Sequence, residues 1–395
     1  MMKKLMMKFL SAMLCATMVV SFAACGDTSK PDDKTSAPAP SDKPSPSGKP
    51  EVSVPNMGFE PGVDVKAPLK TDKMPYLTKP KATGDFIQAW LCDGWPASRW
   101  ESHMAILKQA GYEFVILQNT VSITNGKISR VGFKNDFIDD KSICADQVAV
   151  QDAFLGTVLD AARKMGMKVM IGIGCDDDWW KCQYTDEWCA QQIKVNNAVA
   201  QQIYDHYYKD YKDVINGWYW TYEMWTQNSL HESAWAGLFN PTRKYIHDLT
   251  PELPMMVGPF ISQYEHITPD QSREEWERFF EAARFYDGDI FCPQDSFGSQ
   301  GEPLEYIEAH QLAMKEATKK ANAKVNFWLD VENFEKSGKS AAVERFTKQL
   351  DISSRIATGL VSFSYSHYYD PAQKPGRFHK AYVKYLDTIK DLKID

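Results

Sequence analysis

The chain has no basic block after Lys3, Lys4 and Lys8, and its formal net charge is −7. Nucleic-acid binding needs a basic patch or stripe, so this absence argues against such a partner. No glycine-rich phosphate loop follows the first strand-like run, because Cys92-Asp93-Gly94-Trp95 does not match one. Neither His-x-His nor His-Glu-x-x-His occurs, which removes the usual helix-borne signatures of a hydrolytic metal. No repeat of 20–50 residues stands out. Cys175, Cys182 and Cys189 recur at seven-residue intervals, a spacing that fits no common zinc site. With Cys92, Cys144 and Cys292 they read as buried thiols, one disulfide among them remaining open. No cofactor is implied.

What is present begins with a processing segment. Residues 1–24 combine the three lysines with an apolar run, Phe9 to Phe22, that is too short for a lasting membrane helix. Phe22-Ala23-Ala24-Cys25-Gly26 resembles a bacterial lipobox, with Phe22 where Leu is usual. The resemblance implies cleavage before Cys25 and lipid on its thiol and amine. The protein would then be exported and anchored to the outer face of the bacterial cell membrane. Residues 25–57 are rich in Pro, Ser, Asp and Lys and cannot bury enough apolar surface to fold. They read as a disordered tether, about 30 Å long as a coil. Residues 58–80 are more mixed and read as an extended arm.

From residue 81 to residue 395 the pattern alternates between short apolar runs and helix-period stretches. The runs start at Phe86, Phe114, Lys168, Val214, Pro254, Asp289, Lys324 and Leu360. The helices expected between them cover 98–110, 147–165, 186–208, 231–249, 270–285, 303–321 and 340–358, with 377–390 last. Asp270 or Ser272 is the expected cap of the fifth, and a long polar loop is expected before the second. Eight strand–helix units over this length predict an α/β fold, a (β/α)8 TIM barrel, whose functional face is the C-terminal end of the strands.

Gly217-Trp-Tyr-Trp-Thr-Tyr-Glu223 closes the fourth run, and Asn326-Phe-Trp-Leu-Asp-Val-Glu332 lies in the seventh. Strand alternation puts Val325, Phe327, Leu329 and Val331 on one side of the seventh run and Asn326, Trp328, Asp330 and Glu332 on the other. The apolar set suits the outer helices, so Glu332 points into the barrel mouth. The same parity groups Glu223 with Thr221 and Tyr219, and Gln88 with Trp90. A barrel interior needs no polar residue for packing, and an unpaired one costs about 1–3 kcal/mol. Polar residues gathered at inner strand ends therefore indicate a site.

Two glutamates after strands four and seven resemble the arrangement in the superfamily of retaining β-glycosidases built on this barrel. The resemblance implies Glu223 as acid/base and Glu332 as nucleophile. Two carboxyl groups are needed because one protonates the leaving oxygen while the other attacks the sugar carbon. Gly84-Asp-Phe-Ile-Gln-Ala-Trp-Leu91 and Ala110-Gly-Tyr-Glu-Phe-Val-Ile-Leu-Gln118 are similar to the opening of a family of bacterial exported barrel proteins of unknown function, described as candidate glycoside hydrolases. Tyr219–Glu223, Gln294-Asp-Ser-Phe-Gly298 and Asp330-Val-Glu-Asn-Phe-Glu335 fit its later strand ends. The better-known glycosidases carry Asn just before the acid/base; here that residue is Tyr222.

Asp295 is a third catalytic candidate at the end of the sixth run. Trp90, Gln118, Tyr222, Gln294, Trp328, Asp330, His367 and Tyr368 are candidate substrate-binding residues, with Trp220 beside them. Aromatic faces meet sugar C–H faces, and polar groups meet hydroxyls. Glu335 reads as solvated. Asp176-Asp-Asp178, with Trp179 and Trp180, reads either as a loop with one buried Trp or as a sugar platform. The expected partner is an oligo- or polysaccharide. The functions in competition are a retaining glycoside hydrolase, a non-catalytic glycan-binding lipoprotein on the same scaffold, and a metal-dependent hydrolase using Asp176–Asp178.

Overall fold

The computed structural model describes residues 69–177, 179, 184–226, 228–261 and 267–394. The readings for the signal peptide, Cys25, the tether and the first part of the arm lie outside these residues. So do those for Cys182, Asp178 and Trp180.

Eight parallel strands close into a barrel. In chain order they are β1 (Gly84–Ile87), β2 (Phe114–Leu117), β6 (Lys168–Gly172), β8 (Ile215–Trp220), β9 (Met255–Val257), β10 (Ile290–Phe291), β11 (Asn326–Glu332) and β12 (Gly359–Phe363). Each is followed by one long helix: α1 (Ala97–Gln109), α2 (Phe154–Met165), α3 (Asp186–Ile203), α4 (Ser229–Leu249), α5 (Pro269–Ala282), α6 (Leu304–Ala317), α7 (Val343–Ser353) and α8 (Arg377–Ile389). The (β/α)8 TIM barrel read from the alternating pattern is the fold of the described chain.

The alternation in the sequence is the cause of its two cores. Outward residues such as Phe327, Leu329 and Val331 join the large core beneath the helices. Inward residues Phe86, Phe114, Ile116, Met170, Tyr219, Met256, Ile290, Cys292 and Val361 fill the barrel. Burying each large side chain contributes about 1.5–3 kcal/mol. Trp328 closes the lower end of the barrel against Phe114, with ring centroids 5.9 Å apart. Gly359 leaves it room, since a Cβ there would stand 2.5 Å from the indole.

Two local signals set element ends. Gly166, at φ 64°, terminates α2 in the left-handed conformation that glycine adopts without strain. Thr268 opens α5: its hydroxyl accepts from Gln271 N–H while the Gln271 side chain accepts from Thr268 N–H. Thr268 is thus the cap, rather than Asp270 or Ser272.

The expected loop after the second strand is a second sheet. It contains β3 (Val121–Thr124), β4 (Lys127–Val131), β5 (Cys144–Val150) and β7 (Gly174–Asp176) in the order β5-β4-β3-β7. Asn125 and Gly126 turn the β3–β4 hairpin with φ 51° and 71°, the conformation an Asn-Gly pair favours. The first part of the helix expected at 147–165 is strand β5. The first strand also ends earlier than expected, and Ala89–Cys92 is a helical turn. Cys92, Cys144, Cys189 and Cys292 are free thiols.

The described part of the arm runs along the outside of α6 and α7. Glu308 accepts from Lys70 and Thr71 N–H, Tyr76 donates to Asp351, and Leu77 N–H bonds Ser354 O. These contacts lead the chain into the lower end of β1.

Candidate active site

Three strand ends that are not neighbours in the barrel converge on Glu223. Gln118, one residue past β2, donates from Nε2 to Glu223 Oε1 at 3.3 Å. Gln294, after β10, also donates to the carboxyl group. Glu223 itself follows β8 by three residues and is half-buried. Only a side chain directed into the mouth can meet partners from opposite walls. Burial raises its pKa to about 7, with the Gln294 hydrogen bond acting against the rise.

Glu332 closes β11 and is 2% exposed. Its Oε2 accepts from Ser299 N–H at 2.7 Å, and its Oε1 accepts from the Ser299 hydroxyl at 2.9 Å. Burial and then the neighbouring Asp295 charge push it up to about 8, against the Ser299 donors and Arg345.

Asp330 lies two residues earlier on the same face of β11. It is buried, and its Oδ1 has no hydrogen-bond partner among the described residues. Burial comes first, then the charges of Glu332, Asp295, Glu223 and Asp85; together they raise it well above the ordinary carboxylate range. These surroundings favour its neutral form, which lowers the cost of the unpaired oxygen. The charges of both Glu223 and Glu332 thus reach Asp330.

Asp295 occupies a different place from the one its sequence position suggests. It points away from the mouth and is fully buried. Its Oδ1 accepts from Phe297 N–H at 3.1 Å and Glu332 N–H at 3.4 Å, and its Oδ2 accepts from Gln349. It ties the end of β10 to the end of β11, an orienting task that leaves it no free face for a sugar.

Around the glutamates the candidate binding residues divide. Trp90 is 47% exposed, and its Nε1 donates to Gln88 Oε1 at 2.9 Å, which fixes the indole. His367 sits beneath it with centroids 5.3 Å apart, stacks on Phe363, and accepts Gln88 N–H at Nε2. Burial lowers its pKa to about 3, so the ring is neutral. Tyr368 stacks on Phe334 at 5.1 Å and feels the Glu332 charge. Gln294 is half-buried beside Glu223.

Trp328, Tyr222 and Trp220 are not mouth residues. Trp328 plugs the lower end, as described. Tyr222 is fully buried on the outer side, where its hydroxyl donates to Gln192 Oε1 at 2.7 Å and accepts from Asn196 Nδ2 at 3.2 Å. Trp220 packs beside it, 4.9 Å between centroids. Both have the outward parity of β8, and aromatic character alone concealed it.

The aspartates after β6 serve the second sheet. Asp176 is buried and accepts from Gly126 N–H at 2.6 Å and Gln192 Nε2 at 3.1 Å. Asp177 accepts from Thr124 Oγ1 at 2.8 Å. Trp179 is buried, 5.6 Å from Trp225 and 5.9 Å from Trp235. The buried Trp179 fits the first reading, and Asp176 and Asp177 are spent on the second sheet; Asp178 and Trp180, on which the sugar-platform reading also rests, lie outside the described residues. Glu335 is half-buried rather than fully solvated, and it pairs with buried Arg345 at 3.2 Å. Among the described residues no group of three His, Cys, Asp or Glu side chains is arranged to hold a metal.

Sequence reasoning missed Ser299, Gln349 and Arg345. Ser299 follows directly on the Gln294–Gly298 motif. Gly298 was the available signal: a Cβ there would lie 2.3 Å from Phe334 O, so the loop must pass close to the end of β11.

A family model described as "Domain of unknown function (DUF4434)" matches residues 82–377. No curated protein matches the chain. Among solved structures, a Bacteroides thetaiotaomicron protein described as a "putative alpha-L-fucosidase" is 19% identical, with a TM-score of 0.63 over 84% of this chain and 99% of that one. An endo-beta-1,4-mannanase from Thermotoga petrophila is 14% identical, with a TM-score of 0.48 over 80% of this chain and 79% of that one. An endo-1,4-beta-mannanase from Eisenia fetida is 11% identical, with a TM-score of 0.46 over 78% and 91%. At these identities the likeness is one of fold.

Proposed function

The chain belongs to the DUF4434 family, which supplies a barrel without a reaction, and from that premise we propose that it is a retaining glycoside hydrolase. Glu332 attacks the anomeric carbon as a carboxylate, and the C–O bond to the leaving group breaks. Glu223 gives its proton to the departing oxygen. Glu223, now a carboxylate, takes a proton from water, whose oxygen displaces Glu332 and frees the sugar. Gln118 and Gln294 hold Glu223, and Trp90 offers its exposed face to a sugar ring beside His367 and Tyr368. The observation that supports this reading is that Gln118 and Gln294 reach Glu223 from separate strand ends while Glu332 ends β11, with the charges of both glutamates raising Asp330. The substrate class is an oligo- or polysaccharide. A lipid at Cys25 would hold the barrel at the outer face of the cell membrane.

One observation favours a second reading, a non-catalytic glycan-binding lipoprotein. Tyr222 is buried away from the mouth, so the residue preceding Glu223 cannot contact a sugar hydroxyl. A screen against polysaccharides and aryl glycosides separates the two, with Glu223→Gln as control. Release of sugar that the substitution suppresses supports hydrolysis. Binding without release in both proteins supports the second reading.

The pH dependence follows from the two glutamates. The nucleophile works ionised, so the rate rises as Glu332 loses its proton near its raised pKa of about 8. The acid works protonated, so the rate falls as Glu223 loses its proton at about 7. The two limbs together predict that kcat/KM follows a bell with its maximum between about pH 7 and 8. A maximum near pH 4.5, where unperturbed carboxyls titrate, would contradict the electrostatics described here.

A further inference from the structure

The chemistry needs Glu332 ionised, yet most of its surroundings oppose that. On its own strand lies Asp330; from the loop after β10 comes Asp295; from the helical turn at 365–368 comes Tyr368, which senses the Glu332 charge. From α7 comes Arg345, whose guanidinium is already committed. Its Nη1 bonds Gln349 and the Glu332 carbonyl, its Nη2 bonds Phe334 O at 2.6 Å, and its Nε pairs with Glu335.

Among the described residues the direct donors to the carboxylate come from one residue. Ser299 N–H and Oγ–H each hold a different oxygen, at 2.7 and 2.9 Å. Two bonds to two oxygens fix the plane of the group as well as its charge. The loop that delivers Ser299 is tightly specified. Ser296 is left-handed at φ 57°. The Arg345 guanidinium lies 4.5 Å over the Phe297 ring. At Gly298 a side chain would strike Phe334 O and approach Glu332 Oε2 to 3.1 Å.

We infer that Ser299 is a positioning residue of the reaction, holding the Glu332 carboxylate ionised and in a fixed plane through its amide and hydroxyl. This rests on the reading of Glu332 as nucleophile. Donors to a carboxylate favour its charged form, so removing the hydroxyl must move Glu332 toward its protonated form.

The test is an infrared titration of the neutral carboxyl band of Glu332, identified by its loss in Glu332→Gln. In Ser299→Ala the midpoint should rise by about one pH unit, the scale of one charge-assisted hydrogen bond. Ser299→Thr, which keeps the hydroxyl, should return it to the wild-type value. With an aryl glycoside, the acid limb of kcat/KM should move with the band, giving about a ten-fold loss at pH below both midpoints, while KM changes little. An unmoved midpoint in a folded Ser299→Ala protein would overturn the proposal. If Ser299→Ala fails to fold, a Ser299→Thr midpoint shifted as far as that of Ser299→Cys would overturn it as well. The band titrates without turnover, so a chain that hydrolyses nothing still tests Ser299, and the failure of the hydrolase reading would be seen separately.

Discussion

Glu332→Ala is expected to reduce hydrolysis of an aryl glycoside on the order of 10⁴-fold or more, and azide is expected to restore part of the rate. The cavity left by the missing carboxylate admits a small anion, which attacks the anomeric carbon from the nucleophile's side. The product should be a glycosyl azide of inverted configuration. Glu223→Ala should behave differently. Its loss should be about 10²- to 10⁴-fold where the leaving group needs protonation, and much smaller where the aryl group departs readily unprotonated. Azide there intercepts the covalent intermediate from the opposite side, so its product retains configuration. Product stereochemistry by proton NMR therefore assigns the two roles independently of rate. Exchange of the two outcomes would reverse the assignment. Unchanged rates in both variants would leave the barrel without the proposed chemistry. Glycan affinity measured by calorimetry should persist in both variants, because neither substitution touches Trp90.

The contrast between Asp295 and Ser299 shows where the sequence is readable and where it is not. Strand parity placed Phe327, Leu329 and Val331 outward and Asp330 and Glu332 inward, because a two-residue period is written directly in the pattern of apolar residues. The same rule applied through Trp220, Thr221, Tyr222 and Glu223 separates Tyr222 from the mouth. Its aromatic character pulled the other way, and burial beside Gln192 and Asn196 settled the matter. Asp295 lies past the last ladder residue of a two-residue strand, so parity had nothing to act on. Ser299 reaches Glu332 through a loop whose course depends on a left-handed serine and on Gly298 passing close to Phe334 O. Such close approaches are tertiary facts. Trp328 carried the right parity but the wrong height: alternation tells which side of a strand a residue takes, not which end of the barrel it fills. The Asn125-Gly126 pair carries a hairpin signal, but the polar residues around it give the stretch the composition of a loop.

Asp289→Ala is expected to lower the free energy of unfolding by about 3–5 kcal/mol, the cost of breaking a buried ion pair by removing one partner. Asp289 stands just below β10, the barrel's shortest strand, with two laddered residues, Ile290 and Phe291. Few ladder bonds hold such a strand, so its position depends on what flanks it. Below, Asp289 accepts from Arg243 Nε and Nη2, both at 2.8 Å, and from Met255 and Tyr286 N–H. Above, Asp295 binds Phe297 and Glu332 N–H and Gln349. Both side chains of the Arg243–Asp289 pair are almost fully buried, so Ala leaves a guanidinium and two amides without their acceptor. In urea titrations the midpoint should fall while the slope stays constant, marking a change in stability rather than in the surface exposed. Arg243→Met combined with Asp289→Leu should recover much of the loss, because no charge is then stranded. Asp289→Ala should also weaken hydrolysis, since Gln294 and Asp295 sit on the segment it releases, and the two losses should rise together with temperature. A cost below about 1 kcal/mol, the scale of an exposed pair, would mean that β10 is held by something other than its two flanking aspartates.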